Sequence, residues 1–222
     1  LPHYSILTHC GPHDESDSGK RRVTFFPPPA KKQAKGSSVK PAIAVLMIGA
    51  ATVAAWGAEP PRVQDRAPEF SLSAVTGGMV RLSEALSSGP VVLVVLRGYP
   101  GYQCPFCNRQ VQDYLNRSAD FARLGARVLL VYPGPGDMLN QRASEFLAGR
   151  MLPANFSLLL DPDYQFTNLY GLRWEAPKET AYPSTFLIDA KGSVFFAKVA
   201  KAHGGRTTAA EMLAELARHK SM

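Results

Sequence analysis

Hydrophobic and polar positions divide the chain into an unpatterned first quarter and a densely patterned remainder. Residues 70–75 alternate, Gly77-Gly78 supplies a turn, and residues 79–82 alternate again, which predicts a β-hairpin. Residues 90–96 form an unbroken apolar run rich in Val, the pattern of a strand buried on both faces, and residues 126–132 repeat it. Helical periodicity lies between these strands, from about Pro105 to Leu124, and again over 136–149. A short strand at 157–160 and a short helix at 163–170, closed by Gly171, come next. Strands at 185–189 and 193–197 then flank the turn Ala190-Lys191-Gly192. The last helix opens with a capping box, Thr208 paired with Glu211, and runs to about Arg218. Strands alternating with helices and closing in a hairpin and a helix predict an α/β sandwich around a mostly buried mixed sheet, with an N-terminal hairpin extension.

The first 58 residues read differently. Residues 1–40 sustain no period and are dominated by Pro, Ser, Gly and Lys, so they are expected to be disordered or absent from the working protein. The chain begins with Leu1 rather than Met, as a fragment or an over-extended gene product does. His3, His9, Cys10 and His13 fall in this segment and are read as incidental. Residues 42–58 form an uncharged apolar run of 17 residues, preceded by Lys31, Lys32, Lys35 and Lys40. The run ends in Ala55-Trp56-Gly57, a small-x-small exit. That combination describes an export signal at 41–58; an uncleaved anchor is the second reading and a buried helix the third. The first two leave 59–222 as one folded domain working outside the cytoplasm, touching the membrane only if 42–58 stays attached.

Charge narrows the function classes. The chain carries a net +7, of which +4 lies in residues 1–58 and +3 in the rest. The folded part has a mixed, solvated surface with no basic run interleaved with aromatics, so nucleic acid is excluded as a partner class. Three cysteines are too few for a disulfide scaffold or a four-cysteine zinc site.

The chemistry-bearing segment is Arg97-Gly98-Tyr99-Pro100-Gly101-Tyr102-Gln103-Cys104-Pro105-Phe106-Cys107. A buried strand exits through Gly and Pro into Cys-x-x-Cys, and a helix follows at once. Cys104 therefore falls at a helix N-terminus, where unpaired N–H groups and the dipole favour a thiolate. Pro105 fits the first turn, whose N–H groups lack intrahelical partners. Cys107, Val111, Tyr114, Leu115, Ala119 and Ala122 follow a 3-4-3 rhythm, so Cys107 heads the apolar stripe. An exposed, activated Cys104 and a sheltered Cys107 suit attack by the first and resolution by the second through a mixed disulfide. A half zinc site and a purely structural disulfide are the weaker readings; no metal or cofactor is assigned.

Strand, Cys-Pro-Phe-Cys, helix and then Pro183-Ser184-Thr185-Phe186-Leu187-Ile188-Asp189 resemble the thioredoxin superfamily. More closely, residues 67–216 are similar to its AhpC/TSA (peroxiredoxin-like, redoxin) branch and exported thioredoxin-like relatives. Leu160-Asp161-Pro162-Asp163 and Leu169-Tyr170-Gly171-Leu172 carry the same likeness. The resemblance implies a thioredoxin-like fold. It also implies a cis bond at Tyr182-Pro183, with Pro183, Tyr182 and Pro105 as substrate-binding residues; a trans strand-start proline is the alternative. The chain departs from typical peroxiredoxins at three positions. Gly101 stands where they carry Thr or Ser, Arg97 where they carry Pro, and Pro183 where they carry Arg. Those departures favour dithiol–disulfide exchange with protein or small-molecule disulfides, served by a separate electron donor, over hydroperoxide reduction.

Arg97, Arg173 and Arg109 are the cations considered for stabilising the thiolate, Arg97 being nearest in sequence; each is read first as a solvated surface residue. The loop Lys201-Ala202-His203-Gly204-Gly205-Arg206 is read first as a connector and second as a border of the site. Trp174 and Tyr102 are equally candidates for a substrate groove and for packing. The sequence thus predicts an exported thiol–disulfide oxidoreductase with Cys104 as nucleophile and Cys107 as resolving thiol. Its rivals are a thiol peroxidase using the same pair and a copper(I)-carrying chaperone using both thiolates and His203.

Overall fold

A computed structural model describes residues 58–99 and 103–221. The expected N-terminal segment at 1–40 and the export segment lie outside the described residues, Ala58 excepted. Among the described residues no helix is long and apolar enough to cross a membrane.

The central sheet has five strands: β3 (Val91–Val95), β4 (Arg127–Gly134), β5 (Phe156–Pro162), β6 (Ser184–Ile188) and β7 (Val194–Val199), in the order β5-β4-β3-β6-β7. β3 pairs parallel with β4 and antiparallel with β6, β4 pairs parallel with β5, and β6 pairs antiparallel with β7. The expected mixed sheet is therefore present. The small antiparallel hairpin of β1 (Ser71–Ser73) and β2 (Met79–Arg81) precedes it, turning at Gly77-Gly78.

Alternation along β3 shows why its run is continuous. Val92 and Val94 enter one core and Val91, Leu93 and Val95 the other, all fully buried. The first core holds α2 (Pro105–Asn116), α3 (Ser118–Arg123), α4 (Leu139–Leu147) and α6 (Ala209–Lys220), which supply Val111, Phe121, Phe146 and Met212. The second holds α1 (Leu82–Leu86) and α5 (Gln165–Leu169), with Leu82 and Phe166 packed near Phe70 and Tyr170. A strand between two layers has no polar face to show, and each fully buried Val or Leu contributes about 1.5–3 kcal/mol.

Two details differ from the sequence pattern. The helix expected over 105–124 is two helices, broken at Arg117 (φ −110°, ψ 16°). Beyond the break Phe121 is buried and stacks on Tyr114 at 5.4 Å, while Ala119 and Ala122 stay outside. The aromatic ring has more area to remove from water than either alanine, so it takes the inner position. The start of the 136–149 helix is a 3-10 turn, Gly136–Met138, before α4. Asp161, from the Leu-Asp-Pro-Asp stretch, is fully buried and accepts the N–H groups of Phe166 and Thr167. It caps the first turn of α5 and has a structural role.

Candidate active site

β3 delivers the chain to the site. Leu96 closes the ladder by donating its N–H to the Val131 carbonyl, and Arg97 and Gly98 follow. Gly98 has φ +64°, and a Cβ there would lie 2.1 Å from the Pro133 carbonyl oxygen, so the close passage past β4 requires glycine. Gln103 is pinned by two bonds: its amide donates to the Arg142 carbonyl and its Oε1 accepts from the Tyr132 hydroxyl. Cys104 is the N-cap of α2 (φ −73°, ψ 119°) and Pro105 its first helical residue, as expected.

The two thiols are unlike. Cys104 has its pKa lowered from 9.0 to about 5. The largest cause is the hydrogen bond from the Cys107 thiol; burial opposes it, and the Cys107 and Phe106 backbone N–H groups and the Arg206 charge add to the lowering. Cys107 is pushed the other way, chiefly by burial and then by its bond to Cys104. Its sulfur accepts the Arg97 backbone N–H at 3.3 Å. Both cysteines are free thiols. One expectation needs correcting: Cys104 is not exposed, at 2% against 1% for Cys107. Its sulfur turns inward toward Cys107 and Arg206 instead of projecting from the helix end.

Arg206 is the cation that sequence reading placed no weight on. Its Nη2 lies 4.0 Å from Cys104 Sγ, Nη1 donates to Gln110 Oε1 at 3.1 Å, and Nε donates to the His203 carbonyl at 2.9 Å. Gln110 is itself buried and donates to both the Thr207 carbonyl and Thr207 Oγ1. Thr207 continues the network to the Tyr114 hydroxyl at 2.7 Å and Thr185 Oγ1 at 2.8 Å. The Gly-rich loop thus borders the site. The available signal was Gln110, a polar side chain three residues after Cys107 on the buried face, which needs a partner there.

Arg97 is not a solvated surface residue. It is 6% exposed, and its guanidinium grips Glu179 through Nε–Oε2 (2.5 Å) and Nη2–Oε1 (3.0 Å) while Nη2 also reaches the Lys178 carbonyl. Burial works against the Arg97 charge, but Glu179 and then the Cys104 sulfur more than offset it and raise its pKa. Glu179, which sequence reading also missed, meets His203 Nε2 at 3.0 Å through Oε1, the oxygen that also accepts from Arg97 Nη2. Arg109 lies over the Phe106 ring, 4.7 Å from its centroid. Arg173 points elsewhere, donating to the Trp174 and Thr180 carbonyls and lying 4.0 Å from the Tyr164 ring centroid.

The cis bond at Tyr182-Pro183 is also corrected: among the described residues every peptide bond is trans. The backbone there is already satisfied. Tyr182 donates to the Leu172 carbonyl, the Tyr182 carbonyl accepts from Ser184 Oγ, and the Pro183 carbonyl accepts from the Ala200 N–H. No free edge remains at these groups for an added substrate strand, and Pro183 behaves as a strand-start proline. Tyr182 stacks on Trp174 at 4.9 Å, and Trp174 meets the His203 ring edge-on at 5.4 Å. Pro105 is exposed beside Cys104. Pro100, Gly101 and Tyr102 lie outside the described residues.

The thioredoxin-like sheet and a family match define a class, the thiol/disulfide oxidoreductases in general. A sequence model of the AhpC/TSA family matches residues 63–197, and the chain belongs to that family. No curated protein matches it. Among solved structures it resembles the peroxidoxin BcpB from Mycobacterium tuberculosis at TM-score 0.59 and 22% identity, covering 73% of this chain and 98% of that one. A yeast mitochondrial 1-Cys peroxiredoxin gives TM-score 0.57 and 15% identity over 72% of this chain and 76% of that one. A protein described as a thiol:disulfide interchange protein, DsbE, from Chlorobium tepidum gives 0.52 and 28% over 70% and 99%. The first two likenesses concern the fold.

Proposed function

We propose that the chain is an exported thiol–disulfide oxidoreductase in which Cys104 attacks and Cys107 resolves. The observation that carries this reading is a pair of free thiols in the first turn of α2, with Arg206 Nη2 4.0 Å from Cys104 Sγ and Cys107 Sγ buried against the Arg97 N–H, surroundings that lower the Cys104 pKa and raise that of Cys107. The Cys104 thiolate attacks one sulfur of a substrate disulfide, joins it and expels the other half as a thiolate. Cys107 then gives up its proton and attacks the Cys104 sulfur, releasing the captured half and closing the Cys104–Cys107 disulfide. Arg206 and Arg97 hold the negative charge on Cys104 before attack. A separate electron donor restores the dithiol. Export rests on the Lys-flanked apolar segment at 42–58.

Family membership supports a second reading, a thiol peroxidase. There the Cys104 thiolate takes one oxygen of a hydroperoxide, releases water or an alcohol, and forms a sulfenic acid that condenses with Cys107. Gly101, where peroxiredoxins carry Thr or Ser, weighs against it. A copper carrier using His203 has less support, because His203 Nε2 is turned to Glu179. The discriminating experiment compares second-order rates of the reduced protein with a peptide disulfide and with hydrogen peroxide, in wild type and Cys104→Ser. Faster disulfide reduction that disappears in Cys104→Ser is expected. Faster peroxide consumption would favour the second reading.

A further inference from the structure

We propose that the groove beside Cys104, walled by Phe106, Arg109, Asp113 and residues 204–206, is a subsite that selects disulfides carrying carboxylates near the sulfur bridge. The inference rests on the thiol–disulfide reading above and names its substrate class. The groove encloses about 380 Å³, enough for one or two side chains of a peptide.

Arg206 is the wall shared by groove and thiol. Its Nη2 faces Cys104 Sγ, and its remaining bonds to Gln110 and the His203 carbonyl fix the guanidinium in place. Cys104 itself is not part of the groove wall, so Arg206 is the link between a carboxylate held in the groove and the buried thiol behind it. Across the groove, Arg109 is exposed and makes no ion pair among the described residues. Its guanidinium carbon lies 4.7 Å from the ring centroid of Phe106, a residue 40% exposed. The carboxylate in the wall, Asp113, accepts the Ala209 N–H at 2.7 Å, at the start of α6. A substitution at Gly204 would meet open space, so the loop leaves the entrance clear.

Two guanidiniums and an exposed aromatic face suit an occupant with an apolar stem ending in a carboxylate. Guanidinium binds carboxylate through paired N–H donors, and two guanidiniums against the one carboxylate of Asp113 leave the wall net positive, which concentrates anions. The chemistry is that of the proposed exchange, with the substrate halves anionic. Cys104 Sγ bonds to the near sulfur, the substrate S–S bond breaks, and the far half leaves as a thiolate. Cys107 loses its proton to solvent, bonds to Cys104 Sγ and releases the second half. Two electrons pass from the dithiol to the substrate.

The test uses the reduced full chain and three small disulfides of differing charge: 3,3′-dithiodipropionate, 2-hydroxyethyl disulfide and cystamine. Each second-order rate is divided by that reagent's rate with free 2-mercaptoethanol, which removes differences in leaving-group reactivity. The expected order is carboxylate, neutral, ammonium, with the carboxylate roughly tenfold above the neutral reagent at low ionic strength. Salt at about 0.5 M compresses that ratio, because the Debye length falls well below the groove's dimensions. Arg109→Gln lowers the carboxylate-to-neutral ratio by about threefold, whereas Lys191→Gln, at the β6–β7 turn, leaves it unchanged. A ratio of one or less, or the same ratio in Arg109→Gln, overturns the subsite while leaving the exchange reaction standing. If Cys104→Ser reduces the neutral reagent as fast as wild type, both fail.

Discussion

Arg206 Nη2 stands 4.0 Å from Cys104 Sγ although 102 residues separate the two in sequence. The edge strand β7 carries the chain back past the site, and the loop before α6 then turns the guanidinium onto the thiol. The charge complements the local donors at the helix N-terminus, and Gln110 holds it there from within α2. The thiolate is therefore stabilised by its own helix and by a loop that arrives only once the sheet is complete.

Alkylation should report this directly. Iodoacetamide reacts with the thiolate, so the rate at Cys104 in the reduced protein should rise with pH around a midpoint of about 5. Cys107→Ala should raise the midpoint most, since the Cys107 thiol is the largest contributor, and Arg206→Met should raise it by roughly one unit. Peptide mapping should show Cys104 labelled well before Cys107. A wild-type midpoint near the ordinary thiol value of about 8.5 would contradict the electrostatics.

A stabilised thiolate favours the reduced form, so the pair should be a better oxidant than thioredoxin. Equilibration with glutathione buffers should give a reduction potential between about −200 and −120 mV, clearly above the roughly −270 mV of thioredoxin. A value at or below −270 mV would mean that the thiolate contributes little to redox poise.

The same shift sets a pH dependence of stability. The folded pKa of Cys104 is depressed from 9.0 to about 5, so its contribution is complete above about 9 and is lost as pH falls toward 5. The disulfide form has no such group. Urea denaturation of reduced protein, referenced to oxidised protein, should therefore show stability rising from pH 5 to 9, by at most about 1.4 kcal/mol per pH unit. A flat or falling difference over that window would contradict the shift.

Glu179 should matter more for stability than any exposed acid. Its side chain and that of Arg97 are 11% and 8% exposed, and removing the carboxylate would strand a buried guanidinium. Glu179→Ala should cost about 3–5 kcal/mol in urea denaturation. Glu84→Ala, which breaks the exposed pair with Arg81, should cost less than about 1 kcal/mol. Equal costs would show that the Arg97–Glu179 pair is not the buried anchor described.

What the sequence disclosed follows physical locality. The continuous run at 90–96, the Gly77-Gly78 turn and the Thr208–Glu211 capping box are near-neighbour patterns, and each yields the element it predicts. The Cys104 N-cap and Pro105 at the first helical position follow from the same local rules. Arg206, Glu179 and the buried state of Arg97 were not legible, because each is fixed by a partner many residues distant. Nor does a helix-end position reveal that a thiol turns inward, as Cys104 does. Pro183 illustrates the opposite error: a likeness in sequence suggested a cis bond, while the observed trans backbone uses its polar groups within the fold.

The most direct test of the central claim is to react reduced Cys107→Ser with a peptide disulfide and map the product by mass spectrometry. Attack at Cys104 without a resolving thiol should leave a stable mixed disulfide at Cys104, formed at neutral pH and absent from Cys104→Ser. An adduct of equal yield in Cys104→Ser, or no adduct while wild type still reduces the peptide, would contradict the assignment of Cys104 as nucleophile and Cys107 as its resolving partner.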